Sequence, residues 1–268
     1  MLSCLTDSRA HANSTFNIQH STLKELMREQ ISKYLKDHGF EEFCPKAVLF
    51  DMDGVLYDSM PNHAVAWQKS MEQFGIHMTT ADAYATEGAR GIDTIQMMVK
   101  AQKGIDISLE EAQKMYDVKT EIFHAMPTAE IFPGVKELMQ KIKNAGMQIG
   151  VVTGSGQRPL IQRLLHDFGD YLTEHHIVTA YDVSRGKPNP DPYLMGLQKV
   201  GNLQPWQGIV VENAPLGVRA GVAANIFTVA INSGPLADAE LSDNGCNLLY
   251  HKMTEFSEDF DTLIAATK

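Results

Sequence analysis

With 268 residues the chain has room for one large or two unequal domains, and an apolar content of 44% is enough to bury an ordinary core. A formal net charge of −10 excludes sequence-independent nucleic-acid binding, which needs a basic footprint, but is compatible with small anionic substrates where cations are locally concentrated. Three cysteines without paired spacing, Cys4, Cys44 and Cys246, suggest neither a disulfide scaffold nor a thiolate metal site.

The opening residues lack the basic-then-apolar order of a secretory signal, and no apolar run reaches the length of a membrane span, so a cytoplasmic protein without a membrane partner is expected. Residues 1 to 20 are polar and aperiodic and read as disordered. Over 21 to 44 the pattern changes: Leu23, Leu26, Met27, Ile31, Tyr34 and Leu35 fall on one helical face, and Gly39 is a C-terminal stop. A buried-type strand, Val48–Phe50, then runs into Asp51 and Asp53, with Gly54 allowing a sharp turn. Ligands of open α/β sheets bind outside the carboxyl ends of strands, and two carboxylates this close call for a cation, most naturally Mg²⁺. In isolation the same residues would also suit a helix N-cap and an ordinary turn.

Residues 60 to 130 hold helical patterns only, over His63–Phe74, Ile92–Lys103 and Leu109–Met126. From Pro133 onward helices alternate with strand candidates at Gln148–Val152, Ile177–Ala180, Ile209–Val211, Ile226–Ala230 and Leu248–Tyr250. That alternation predicts an α/β fold built on a doubly wound parallel sheet, with the helical insert as a lid over the first strand end. Three later strand ends carry polar residues. Thr153, Gly154 and Ser155 form a turn that can hold a phosphoryl oxygen at a helix start, Lys187 stands in a Gly-Lys-Pro loop, and Glu212 and Asn213 leave a strand just before a helix. Taken singly, each also suits a structural turn or a solvated side chain.

Asp51–Ser59, Thr153–Gly156, Gly186–Pro190 and Glu212–Gly217, in this order and each at a strand end, resemble the four signatures of the haloacid dehalogenase superfamily. The resemblance spans about residues 46 to 260 and is to the β-phosphoglucomutase-like branch, with a core over 45–59 and 131–268 and a helical cap over 60–130. It implies that Asp51 is the nucleophile and forms an aspartyl phosphate, and that Asp53 is the general acid and base. Thr153 and Lys187 would then neutralise the transferred group. Mg²⁺ would be held by Asp51, the Asp53 backbone carbonyl and Glu212 or Asn213. Asn213 departs from the acid usual in the family and brings no charge to the metal.

Substrate choice is assigned to the cap. His63 and Trp67, four residues apart on one helical face, match a pair that the sugar-phosphate mutases direct at the site. The mutases' distal-phosphate cations are missing, however: Glu87 and Gly91 stand where a lysine and an arginine are expected, Gly156 replaces a second lysine, and Arg90 is the one substitute. Glu87, closing onto the metal, would supply the charge that Asn213 lacks and restrict the site to a compact substrate. With Tyr84 and Glu212–Pro215 it gives a pattern similar to bacterial inorganic pyrophosphatases of the same superfamily. The expectation is Mg²⁺-dependent hydrolysis of pyrophosphate. The alternatives are a β-phosphoglucomutase or sugar-phosphate phosphatase and, in another class, a catalytically silent binding scaffold. Oligomeric state is not written in the sequence.

Overall fold

The computed structural model describes the backbone of residues 6–268 and the side chains of residues 22–268. Six parallel strands form one sheet: β1 (Ala47–Phe50), β2 (Gln148–Val152), β3 (Ile177–Val178), β4 (Gly208–Glu212), β5 (Phe227–Ile231) and β6 (Leu248–Tyr250), in the order β3-β2-β1-β4-β5-β6. The order runs outward in both directions from the β1–β4 pair, which is the topological switch point of a doubly wound sheet. Val48 and Phe50 point into one apolar cluster and Ala47 and Leu49 into another on the opposite face. Both faces are covered, so the strands read as continuous apolar runs and not as alternating ones.

Four helices follow β1 before the chain returns to the core: α2 (Met60–Gln73), α3 (Thr80–Ala85), α4 (Gly91–Lys103) and α5 (Leu109–His124). They enclose their own apolar cluster, built on Trp67, Met71, Ile95 and Met98, and form the cap. The six-residue α3 escapes a reading based on apolar periodicity. It is held by a capping box in which Thr79 accepts from the Asp82 N–H while Asp82 accepts from Thr79. The two chain crossings between cap and core pair side by side, Asp58 N–H donating to Glu130 O and Phe132 N–H to Leu56 O.

The remaining core helices are α6 (Val135–Asn144), α7 (Arg158–Phe168), α8 (Asp191–Lys199), α9 (Pro215–Ala223), α10 (Ala239–Ser242) and α11 (Met253–Ala266). At the amino end, α1 runs from Thr6 to His38, so it begins well before Thr22, where the apolar periodicity starts. Residues 6–20, read from sequence as disordered, therefore lie within a helix, while residues 1–5 fall outside the described part. A helix already nucleated by its packed half propagates at little further cost. That packed half is anchored by Met27, Ile31 and Tyr34, with the Tyr34 hydroxyl donating to Asn225 O at 2.8 Å beside the start of β5. The Tyr34 end of the helix thus lies beside the amino ends of the strands, opposite their carboxyl ends, and the helix packs along α11.

Candidate active site

The carboxyl ends of β1, β2 and β4 bring Asp51, Asp53, Thr153, Glu212 and Asn213 together, all buried, and the 186–190 loop adds Lys187. The Lys187 Nζ donates to Asp51 Oδ1 at 2.5 Å, to Glu212 Oε1 at 2.6 Å and to Val152 O at 3.0 Å. Glu212 Oε1 also accepts from the Tyr193 hydroxyl at 2.6 Å, and Oε2 from the N–H groups of Asn213 and Ala214. Every acceptor position of Glu212 is thereby used, so this carboxylate aims Lys187 and has no lone pair left for a metal. Space for it exists because residue 217, at the start of α9, is glycine: a Cβ there would overlap the Glu212 carboxyl group.

Two carboxylates share one ammonium in this cluster. Burial raises the Asp51 carboxyl well above the ordinary carboxylate range, against the opposing pull of Lys187 and with a further push from Glu212. The same pair of anions raises Lys187 and keeps it charged, although burial alone would lower it. Asp51 Oδ2 and Asn213 Oδ1 are buried oxygens that receive no hydrogen bond. Among the described residues no group of three His, Cys, Asp or Glu side chains is arranged as a metal site. The donor set is instead one carboxylate oxygen and one amide oxygen, with excess negative charge beside them. A hard cation that takes its other oxygens from backbone and water, as Mg²⁺ does, fits this set. Gly54, at φ +82°, makes the turn after the carboxylates, and a side chain there would collide with Asn213.

Asp53 belongs to a different network. Its Oδ1 accepts from the Ser59 hydroxyl at 2.5 Å and lies 3.2 Å from His63 Nε2, close but not aligned as a hydrogen bond. His63 Nδ1 is 2.7 Å from the Nζ of Lys119, a fully buried lysine on α5. A lysine donating to Nδ1 leaves the ring proton on Nε2, facing Asp53. Burial would raise Asp53, but His63, Ser59 and Lys119 together hold it below the usual range. Burial pushes Lys119 down to about 8, opposed by Glu87 and Asp53. The Glu87 carboxyl is raised by burial, with an opposing pull from His63 and Lys119 and a further push from Asp53. Lys119 went unnoticed in the sequence, yet it follows Ala112 and Met115 on the buried stripe of α5, and a lysine on an apolar face is a readable signal.

The cap is closed on the core. A Cβ on Gly154 would stand 2.9 Å from the carbonyl oxygens of both Gly88 and Ala89, and one on Gly88 would stand 3.1 Å from Lys187 Cδ. Arg90 does not reach the carboxylates. Its guanidinium is paired with Asp93 at 2.7 Å and donates to Ser184 O at 3.1 Å, which pins the cap turn to the 184–187 loop. Trp67 packs into the cap interior, with the Lys119 ammonium 5.0 Å from its ring centroid. Thr153 Oγ1 accepts from the Ser155 N–H and Ser155 Oγ from the Gln157 N–H, giving the turn its shape. Tyrosine rings lie against the two glycines that replace mutase cations, Tyr116 on Gly91 and Tyr181 on Gly156.

A model of the haloacid dehalogenase-like hydrolases matches residues 48–231, from β1 to the end of β5. The chain belongs to this family. Hexitol phosphatase A of Escherichia coli is 32% identical over 214 residues, covering 79% of this chain and 93% of the relative. A β-phosphoglucomutase of Bacillus subtilis is 27% identical over 225 residues, covering 79% and 96%. Among solved structures, a Bacteroides vulgatus protein provisionally described as a β-phosphoglucomutase superimposes with a TM-score of 0.87 at 48% identity, covering 91% of this chain and 99% of its own. The family hydrolase thus has close structural kin in the β-phosphoglucomutase-like branch. The resemblance to inorganic pyrophosphatases read from Glu87 and Asn213 finds no support among these relatives.

Proposed function

We propose that this protein is a Mg²⁺-dependent phosphohydrolase that takes the phosphoryl group of a small sugar or polyol phosphate onto Asp51 and passes it to water. The carrying observation is the division of the two carboxylates between separate networks. Asp51 has an unpartnered oxygen and a lysine that can neutralise the transferred group, whereas Asp53 sits with Ser59, His63 and Lys119. In the proposed reaction Asp51 attacks phosphorus and the leaving-group oxygen takes a proton through Asp53, which is ionised at rest and is resupplied by the His63–Lys119 pair beside it. Asp53 then takes one from the water that attacks the aspartyl phosphate. Mg²⁺ held by Asp51 and Asn213 would offset charge on the transferring phosphoryl oxygens. The names of the relatives support sugar and polyol phosphates as substrates. Hydrolysis is favoured over mutase chemistry because Arg90 is paired with Asp93, and tyrosines cover the glycines at two distal-phosphate positions. A bisphosphate would lack its charge-assisted contacts there.

Pyrophosphate is the second reading, favoured by one observation: the Glu87 carboxyl is electrostatically coupled to Asp53, and its cap turn lies against Lys187. Phosphate release from a hexitol phosphate, β-glucose 1-phosphate and pyrophosphate, with Mg²⁺ and with EDTA, separates these readings. The proposal expects Mg²⁺-dependent phosphate release from the esters and no glucose 6-phosphate from β-glucose 1-phosphate. Isomerisation without phosphate release would replace it with a mutase. A kcat/KM for pyrophosphate above that of every ester, lost selectively in Glu87→Ala, would replace it with the second reading.

A further inference from the structure

Among the described residues, one buried side chain in the apolar cluster of the cap comes from the core. Leu236, from the loop after β5, is only 8% exposed and is packed in the cluster formed by Met60, Trp67, Tyr84 and Ile95. Two residues earlier, Gly234 is covered by the Tyr84 ring so closely that a Cβ would overlap it. The loop itself is fastened to the core. Asn232 N–H donates to Tyr250 O at 2.7 Å, Asn232 Nδ2 to Leu236 O at 2.9 Å, and Asp238 is 3.1 Å from His251 Nε2. The Ser233 hydroxyl donates to Gly54 O at 2.7 Å, so the loop is braced against the residue that follows Asp53.

From this arrangement we infer that the 232–238 loop is a docking post for the cap, and that Leu236 and Gly234 are positioning residues that set how strongly the enzyme selects compact substrates. A rigid-body opening of the cap must pull the Tyr84 ring off Gly234 and expose Leu236, because the loop is tied to β6 and to the carboxylate loop. Closure restores an apolar contact that involves neither Asp51 nor Asp53. A compact substrate lets the contact form, and a bulky one holds the cap off the post and forgoes it. The selectivity rests on the phosphohydrolase reading, while the closure itself does not.

Spin labels on cysteines introduced at Gln73 in the cap and Asn144 in the core, with the native cysteines changed to serine, report closure without any substrate. The native loop should give one dominant distance. Leu236→Ala should add a longer population, because losing most of a buried leucine shifts a two-state equilibrium by roughly tenfold or more. Gly234→Ala should do the same from the other side of the contact, and Leu236→Met should restore the native distribution. With activity as the readout, Leu236→Ala should lower kcat/KM for the best compact substrate about tenfold while leaving 4-nitrophenyl phosphate within about twofold. Unchanged distances in both Leu236→Ala and Gly234→Ala would overturn the docking post. Equal kinetic losses on compact and bulky substrates, with the distances shifted as expected, would overturn its role in selectivity. Should no phosphate compound be hydrolysed at all, the phosphohydrolase reading fails and the distance measurement still decides closure.

Discussion

At the residue scale the site is a set of buried charges whose partners are unequal in number. Lys187 serves both Asp51 and Glu212, so its removal leaves two carboxylates without a cation in a dry environment. Lys187→Met is expected to destabilise the metal-free protein by about 3–5 kcal/mol, whereas the nearly isosteric Asp51→Asn should abolish turnover and leave the urea midpoint unchanged or higher. Equal midpoints for wild type and Lys187→Met would contradict the shared-cation arrangement. Lys119 gives a prediction with a sign. Its ammonium is depressed in the folded protein to about 8 from an ordinary 10.5, so between those values the unfolded chain carries more protons than the native one. The contribution of this group to stability therefore rises as pH climbs through that window, and below it the cost of burying the charge is paid in full. In the metal-free protein Lys119→Met should gain most over wild type below pH 8, with the advantage shrinking towards pH 10, as urea titrations at several pH values would reveal. Asp51 and Asp53 could be singled out as charged residues in a recurring motif at a strand end, and Lys187 as the charge of a Gly-Lys-Pro loop. Tyr193 could not, since nothing in its local sequence shows that its hydroxyl meets Glu212 19 residues away.

At the scale of elements, the strands were readable to within a residue or two because a parallel sheet covered on both faces makes short, uninterrupted apolar runs. Helix starts mattered more for the site. The first turn of α9 contributes no side chain to the catalytic cluster, yet Gly217 in that turn provides the volume that Glu212 occupies. Gly217→Ala should displace Glu212, release Lys187 from one of its partners and lower kcat by roughly 10²-fold, with overpacking costing about 1–3 kcal/mol. Steady-state kinetics and a urea titration of the same variant test both effects, and a variant with normal kcat would show that Glu212 can be moved without consequence. The short α3 belongs to the part that periodicity could not reveal. Its Thr79 and Asp82 box was nevertheless written in the sequence as a threonine followed three residues later by an acid.

At the scale of the molecule, α1 is anchored through Tyr34 beside the amino end of β5, away from the strand ends that carry the chemistry. Met27, Ile31 and Tyr34 are buried against the core, and at about 1.5–3 kcal/mol for each fully buried apolar side chain their loss is substantial. Deleting residues 1–38 should lower the thermal midpoint markedly while leaving kcat and KM at low temperature within about twofold, measured on one phosphate substrate in both forms. A large kinetic change in a folded truncation would instead tie the helix to the site. The sequence by itself determined the α/β class, the helical insert and the strand-end carboxylates, because apolar periodicity and motif spacing are local properties of the chain. Only the tertiary structure decided that Glu212 orients Lys187 and has no oxygen free for a metal, that Arg90 is spent on Asp93, that Lys119 lies behind His63, and that Leu236 of the core enters the cap. Each of these depends on which groups meet across long stretches of chain and on how many hydrogen-bond positions each has left, and neither is fixed by neighbours in sequence.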